Sequence, residues 1–147
     1  MFFMNDKIVF IDTNILVYAN DTAYPEKQRT ARHYIRELII KGNGYISTQV
    51  LAEFWITVTQ KLTTPMPQDL ARPQINLLST LHIMPVEYAT VLEAIRLKER
   101  YQISFWDAQI LATALQANAQ VLLTEDLQHG LSIDSLMIQN PFLQLGF

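Results

Sequence analysis

Hydrophobic positions along the chain alternate between short solid runs and a three-to-four-residue spacing. Lys7–Ile11 is a short apolar run of the kind a buried strand requires. Between Pro25 and Lys41 the residues Ala31, Tyr34, Ile35, Leu38 and Ile39 fall at i, i+3, i+4, i+7 and i+8, which predicts a helix. Pro25 suits its first turn, and Gly42-Asn43-Gly44 stops it. Tyr45-Ile46 reads as a very short strand, after which Ser47 or Thr48 caps a helix carrying Val50, Leu51, Phe54 and Val58. Pro65, Pro67 and Pro73 punctuate the next segment and predict a helix around 68–79 that breaks or restarts near Pro73. His82–Val86 is a third strand, and Tyr88, Val91, Leu92 and Ile95 mark the following helix. Ser104 starts another helix, running to about Asn118, apolar on most sides and therefore buried. Val121–Thr124 and Leu136–Gln139 are the fourth and fifth strands, the last ended by Asn140-Pro141.

Strands separated by helical segments imply βαβ units. The expected fold is α/β: a mostly parallel five-stranded sheet covered by helices on both faces, a three-layer α/β/α sandwich formed by residues 1–147 as one domain. Right-handed crossovers bring the C-terminal end of every strand to one edge, together with the start of the helix that follows. Ligands of open α/β sheets bind along that edge.

The acidic residues stand out against this frame. Of fourteen Asp and Glu, Asp12 directly follows the first strand, and Glu53 lies six residues into the helix begun at Ser47. Asp107 lies in the first turn of the buried helix, and Glu125-Asp126 follow the fourth strand. Local roles are open to each of them. Asp12 can cap the turn Asn14–Tyr18, Asp107 can complete a capping box Ser104-x-x-Asp107, Glu53 can be a solvated helix residue, and Glu125 and Asp126 can complement a helix dipole. Together, however, they bring carboxylates from four segments to one edge. Two like charges 5 Å apart repel by roughly 3 kcal/mol at an effective dielectric of about 20. A divalent cation reverses that sign, and an all-oxygen donor set suits Mg²⁺ or Mn²⁺. Such an ion can polarise a phosphate oxygen and acidify a water.

Composition narrows the field further. The chain has 147 residues, half of them hydrophobic, enough for one substantial core. With no cysteine, disulfides and thiolate zinc sites are excluded, which fits a reducing cytoplasm. The net charge of −3 argues against a non-specific basic nucleic-acid footprint, but not against a nucleic-acid enzyme that meets phosphate through a cation. The start, MFFMNDK, is not expected to be a signal peptide, and no apolar run approaches the roughly 18 residues that span a bilayer. There is no G-x-S-x-G, and His33, His82 and His129 lack ligand spacing.

These residues also carry a family resemblance. In order, "FIDTNILVYA", "ISTQVLAEF", "ISFWDAQILATA", "VLLTEDLQHG" and "IQNPF" make the chain resemble the PIN-domain ribonucleases, most closely the small toxins of VapC-type toxin–antitoxin pairs. The resemblance implies that Asp12, Glu53, Asp107 and Asp126 form an acidic quartet binding Mg²⁺ or Mn²⁺. Asn14 and Thr124 are then polar supports. Glu125 competes with Asp126 for the fourth place, and the family's Thr-x-Asp pattern selects Asp126. The implied reaction is hydrolysis of an RNA phosphodiester by in-line attack of a water, leaving 5′-phosphate and 3′-hydroxyl ends. The implied partners are an antitoxin laid across the acidic edge and a second copy of the chain.

Two other functions are open. A haloacid-dehalogenase-like phosphatase also opens with an Asp after its first strand, but Asn14 stands where that family has its second Asp. A PIN-like module that only binds RNA or protein is the non-enzymatic alternative. The row Lys27, Arg29, Arg32 and Arg36, like Arg96, Lys98 and Arg100, reads as a solvated helix face. Trp55 and Trp106 read as core or rim packing, and His129 as a loop-end structural residue.

Overall fold

Six short strands form one sheet in the computed structural model, which describes residues 7–143. They are β1 (Val9–Ile11), β2 (Gly44–Ser47), β3 (His82–Met84), β4 (Val121–Leu123), β5 (Ser132–Ile133) and β6 (Leu136–Gln139), arranged β3-β2-β1-β4-β6-β5. All neighbours are parallel except β5 and β6, which pair antiparallel. The helices are α1 (Thr13–Tyr18), α2 (Pro25–Lys41), α3 (Thr48–Ile56), α4 (Gln68–Leu78), α5 (Tyr88–Tyr101) and α6 (Phe105–Gln116). A π-helical turn, Thr57–Lys61, prolongs α3.

The strand order explains the layers. From β1 the chain steps outward to β2 and β3, then returns across β1 to β4. A right-handed crossover that reverses direction places its helices on the opposite face. So α1–α4 cover one face and α5–α6 the other. The reversal falls between β1 and β4, where a cleft opens beyond the strand ends.

Local sequence accounts for most elements. β1 and β4 are wholly buried, as three-residue apolar strands between two helical layers must be. Pro25 is in the first turn of α2, and Gly42 ends it in the left-handed region at φ 72°. Gly44 opens β2 because a Cβ there would stand 2.7 Å from Leu81 Cδ2 and 2.9 Å from Leu38 Cβ. Ser47 caps α3 by accepting the Val50 N–H at 3.2 Å. Every residue from Ala108 to Ala114 of α6 is buried.

Several expectations need correction. The sheet has six strands rather than five, because β5 is a two-residue strand too short to show a period. β3 ends at Met84, since Pro85 has no N–H with which to continue a ladder. α4 runs unbroken through Pro73. The stripe Tyr88, Leu92 and Ile95 faces outward, at 79%, 49% and 43% exposure, while Thr90, Ala94 and Leu97 are the buried side of α5. The reading of the start as no signal peptide lies mostly outside the described residues. Among those residues, no helix is long and apolar enough to cross a membrane.

Candidate metal-binding site at the sheet switch point

Asp12 and Thr124 are held where the strands end. The Asp12 N–H donates to the Leu123 carbonyl at 2.9 Å, and the Thr124 N–H donates to the Gln139 carbonyl at 3.0 Å, so the ladder locks both beside the reversal point. The Asp12 carboxylate is 4% exposed. Its Oδ1 accepts the Thr13 N–H at 2.7 Å, capping α1, and its Oδ2 accepts the Thr124 hydroxyl at 2.8 Å. The capping role and the place at the sheet edge therefore coincide in one residue. Burial pushes its pKa up to about 7. The bonds from Thr124 and Thr13 oppose that rise, and the neighbouring charges of Asp126 and Glu53 add to it.

Asn14 bridges the two strand ends. Its Nδ2 donates to Asp126 Oδ2 at 2.9 Å and lies 3.4 Å from both Asp12 Oδ2 and Thr124 Oγ1. Its Oδ1 accepts the Glu125 N–H at 3.3 Å. The Thr124 hydroxyl also accepts the Asp126 N–H at 3.1 Å, which turns the chain so that Asp126 meets Asn14.

Glu53 and Asp107 enter from helices on opposite faces of the sheet. Glu53 Oε1 accepts the Thr13 hydroxyl at 2.7 Å, and Oε2 accepts Gln49 Nε2 at 3.2 Å. Gln49 also donates to the Trp106 carbonyl at 3.1 Å and accepts from Gln109 Nε2 at 2.9 Å. This amide relay ties α3 to the first turn of α6, which carries Asp107. The Asp107 N–H donates to Ser104 Oγ at 3.1 Å. Burial raises the Asp107 pKa; the Ser104 hydroxyl opposes the rise, and Asp126 and Glu53 again add to it. Asp12 and Asp107 thus both feel the charges of Glu53 and Asp126.

Among the described residues, no ion pair reaches any of these four acids. Nor do three or more Asp, Glu or His side chains stand close enough there to cage a metal by themselves. The donor set still fits a hard, hydrated cation. Mg²⁺ keeps several waters and binds through one or two carboxylates, whereas a dehydrated site would need a closed cage. Burial is the main reason the Asp12 and Asp107 carboxyls are shifted upward, and the charges of Asp126 and Glu53 add to it; a bound cation would favour their ionised forms.

Glu125 has a different fate. Its carboxylate accepts the Tyr18 hydroxyl at 2.7 Å and is ion-paired with Lys27, whose ammonium also lies 4.6 Å from the Tyr18 ring centre. Burial alone would lower the Lys27 pKa, but Glu125 and Tyr18 outweigh it and the net shift is upward. Lys27 is therefore not simply part of a solvated face. Of its row, Arg32 also bonds inward, donating to the Ala19 carbonyl at 2.8 Å. His129 has the structural place expected, its Nδ1 accepting the Asn140 N–H at 3.0 Å. Trp55 packs half-buried against the core, whereas Trp106 is 60% exposed beside Phe105.

Thr13, Gln49, Gln109, Tyr18 and Lys27 were missed in the sequence. For Gln49 and Gln109 a clue exists: each is an amide in an otherwise apolar buried stretch, and Gln49 stands one helical turn before Glu53. Tyr18 and Lys27 meet Glu125 across about a hundred residues, and nothing local marks them.

A cleft of about 470 Å³ opens beside the acids, lined by Glu53, Glu125 and Asp126 together with Tyr18, Tyr24 and Lys61.

Comparison with known proteins follows this geometry. The family model described as "PIN domain" matches residues 9–130. Among solved structures, a toxin–antitoxin complex from Klebsiella pneumoniae shares 20% identity at a TM-score of 0.67, over 90% of this chain and 97% of that one. VapBC2 from Rickettsia felis, bound to a DNA fragment from its promoter, shares 22% at 0.66 over the same fractions, 90% and 97%. VapC20 from Mycobacterium tuberculosis, described as a sarcin–ricin-loop-cleaving toxin, shares 20% at 0.63, over 80% of this chain and 89% of that one. At these identities the likeness is one of fold. Among curated proteins, none matches the chain.

Proposed function

The chain belongs to the PIN-domain family, and from that premise we propose that it is a Mg²⁺- or Mn²⁺-dependent endoribonuclease of the VapC type, the toxin of a toxin–antitoxin pair. One observation carries the reading. Carboxylates from four elements lie toward the switch point, and among the described residues no ion pair reaches any of them.

When bound, Mg²⁺ or Mn²⁺ supplies positive charge to the scissile phosphate and makes a water easier to deprotonate. Asp12 and Asp107 would hold it, with Glu53 and Asp126 beside them. The chain's own groups set the geometry. Thr13 and Gln49 fix the two Glu53 oxygens, while Thr124 and Asn14 fix Asp12 and Asp126. Support of this kind orients metal ligands and limits their motion. A carboxylate of the quartet accepts the proton of the attacking water. The attack is in line, and the products carry 5′-phosphate and 3′-hydroxyl ends. No side-chain nucleophile takes part.

An antitoxin and a second copy of the chain belong to the same reading, in the cytoplasm. The Klebsiella and Rickettsia neighbours are toxin–antitoxin assemblies, and the outward stripe Tyr88, Leu92 and Ile95 supports a protein contact.

The test is purified chain on single-stranded RNA with Mg²⁺ or Mn²⁺, with the product ends mapped. Cleavage leaving 5′-phosphates, abolished by chelation and by Asp12→Asn, is expected. No cleavage, together with no rise in melting temperature on adding Mg²⁺, returns the chain to the non-catalytic module. The lack of a closed three-acid cage favours that alternative.

A further inference from the structure

The cleft beside the acids is also lined by an exposed aromatic ring and by a lysine that forms no ion pair among the described residues, and the proposed chemistry uses neither. Tyr24 is 52% exposed. It occupies the N-cap of α2, a position where Ser, Thr, Asp or Asn would add about 1 kcal/mol, yet it makes no side-chain capping bond. Its ring is not loose. It stands edge-on to Tyr18, centroids 5.5 Å apart at 89°, and Tyr18 is in turn bonded to Glu125. Two rigid rings thus flank the cleft beside Asp126.

Lys61 lies at the end of the π-helical turn. The Leu62 N–H reaches back five residues to the Thr57 carbonyl at 3.2 Å, the π-type bond. Glu53, Thr57 and Lys61 are spaced at i, i+4 and i+8 along α3 and its π-helical extension, and all three line the one cleft. π-turns inside α-helices occur frequently at functional sites. Among the described residues Lys61 forms no ion pair, unlike Lys27. It is therefore available to a phosphate.

We propose that Tyr24 and Lys61 form a nucleotide subsite for single-stranded RNA, in which the Tyr24 ring stacks on an unpaired base near the scissile bond and Lys61 binds a backbone phosphate. A cleft of about 470 Å³ has room for a nucleotide. Stacking tolerates every base and requires that the base be unstacked from its neighbours. The subsite therefore selects loops and single strands over duplex. The inference rests on the reading of the acidic edge as an RNA-cleaving site, and it names how that site holds its substrate.

The test is binding of short fluorescent single-stranded RNA, read by anisotropy, in chains silenced for turnover by Asp12→Asn. Adding Tyr24→Ala should weaken binding roughly 10-fold or more, as expected for the loss of one base–aromatic stack. Tyr24→Phe, which keeps the ring, should bind as the silenced parent does. Oligonucleotides with one abasic position moved along the strand should show a single position at which the Tyr24→Ala defect disappears. Lys61→Ala should reduce the slope of log affinity against log salt by about 0.7, one phosphate contact to a single strand. Equal binding by Tyr24→Ala, or a defect that no abasic position removes, overturns the subsite. The two readings fail separately. Tyr24-dependent binding without cleavage by the unsubstituted chain sinks the catalytic reading alone, and cleavage with Tyr24-independent binding sinks the subsite alone. No binding at all sinks both.

Discussion

Glu125 and Asp126 are neighbours in the chain and opposites in environment. Glu125 is half-buried and answered by a cation and an aromatic hydroxyl: Lys27 and Tyr18 meet it from α2 and α1. Asp126 is exposed to solvent and receives one side-chain amide hydrogen bond, from Asn14, whose Nδ2 also lies 3.4 Å from the buried Asp12, the carboxylate of the cluster that is desolvated. The fold therefore supplies a counter-charge at one carboxylate and, among the described residues, none at the cluster that begins with the next residue. A carboxylate without a partner costs stability wherever it is desolvated. Its persistence at the cluster makes sense if a counter-charge arrives from outside the chain. On the proposed reading, the difference separates a charge that holds the fold from charges that would meet an incoming cation.

Asp12→Asn should have the greatest consequences. Cleavage should fall by roughly 1000-fold or more, since several kcal/mol of charge stabilisation is lost with the ion's principal holder. Metal-free stability should move in the opposite direction. In the folded chain the Asp12 pKa is about 7, against a model value of 3.8. The folded state therefore binds the proton more tightly than the unfolded one. Stability is fully present below the unfolded pKa, falls as pH rises toward about 7, and is level above that. The full span corresponds to about 4 kcal/mol by linkage. Asn escapes that loss but gives up one carboxylate acceptor, to Thr13 or Thr124, which costs about 1–3 kcal/mol. The net gain at pH 8 should thus be roughly 1–3 kcal/mol, measured by urea unfolding in chelator. The variant's stability should also lose most of its dependence on pH between 4 and 7. Equal stability of parent and variant across that range would mean that Asp12 carries no uncompensated charge.

Metal addition sharpens the same contrast. A ligand that binds only the folded state at 100 times its Kd adds about 2.7 kcal/mol. Mg²⁺ at pH 8 should raise the melting temperature of the parent and leave that of Asp12→Asn unmoved. Glu125→Gln should keep the Mg²⁺ response, because Glu125 already has its cation.

The order of the acids was legible in the sequence because apolar runs locate strand ends, and Asp12 and Asp126 follow directly from β1 and β4. Glu53 and Asp107 were legible because helical periodicity gives their distance from a cap. The choice between Glu125 and Asp126 came from a resemblance and not from the residues. Its physical basis lies in Lys27 and Tyr18, which reach Glu125 only after the chain has crossed the sheet. β5 stayed hidden because two residues have no period. Periodicity likewise located α5 without showing which of its sides is buried. Periodicity reports that a helix has an apolar side, but Thr90 has an internal partner in Gln116 at 2.8 Å, so a polar residue could take the buried side.

Lys27→Met should have an intermediate effect. The pair with Glu125 is 29% and 26% exposed at its two side chains, so its loss is discounted toward that of a surface pair, about 1 kcal/mol. It would also leave Glu125 uncompensated beside Asp126. Lys27→Met with Glu125→Gln should recover part of that stability, and the double-mutant cycle gives the coupling directly. Additive losses would show that Glu125 and Lys27 do not depend on one another and would erase the contrast with Asp126.

The smallest expected effect is at Ser104. Its hydroxyl accepts the Asp107 N–H at 3.1 Å and caps α6, and it also opposes the upward shift of the Asp107 pKa. Ser104→Ala should cost about 1 kcal/mol of stability as a lost cap. If that were its whole role, cleavage would keep its pH dependence. If Asp107 belongs to the uncompensated cluster, removing the hydroxyl leaves burial and the charges of Asp126 and Glu53 less opposed. The Asp107 pKa then rises further, and the acid limb of the activity profile moves to higher pH with little change at its plateau. Thermal melts and a pH–rate profile on the same preparation separate the two. A destabilised variant whose acid limb stays in place would show that Asp107 is only the first-turn residue of a capped helix.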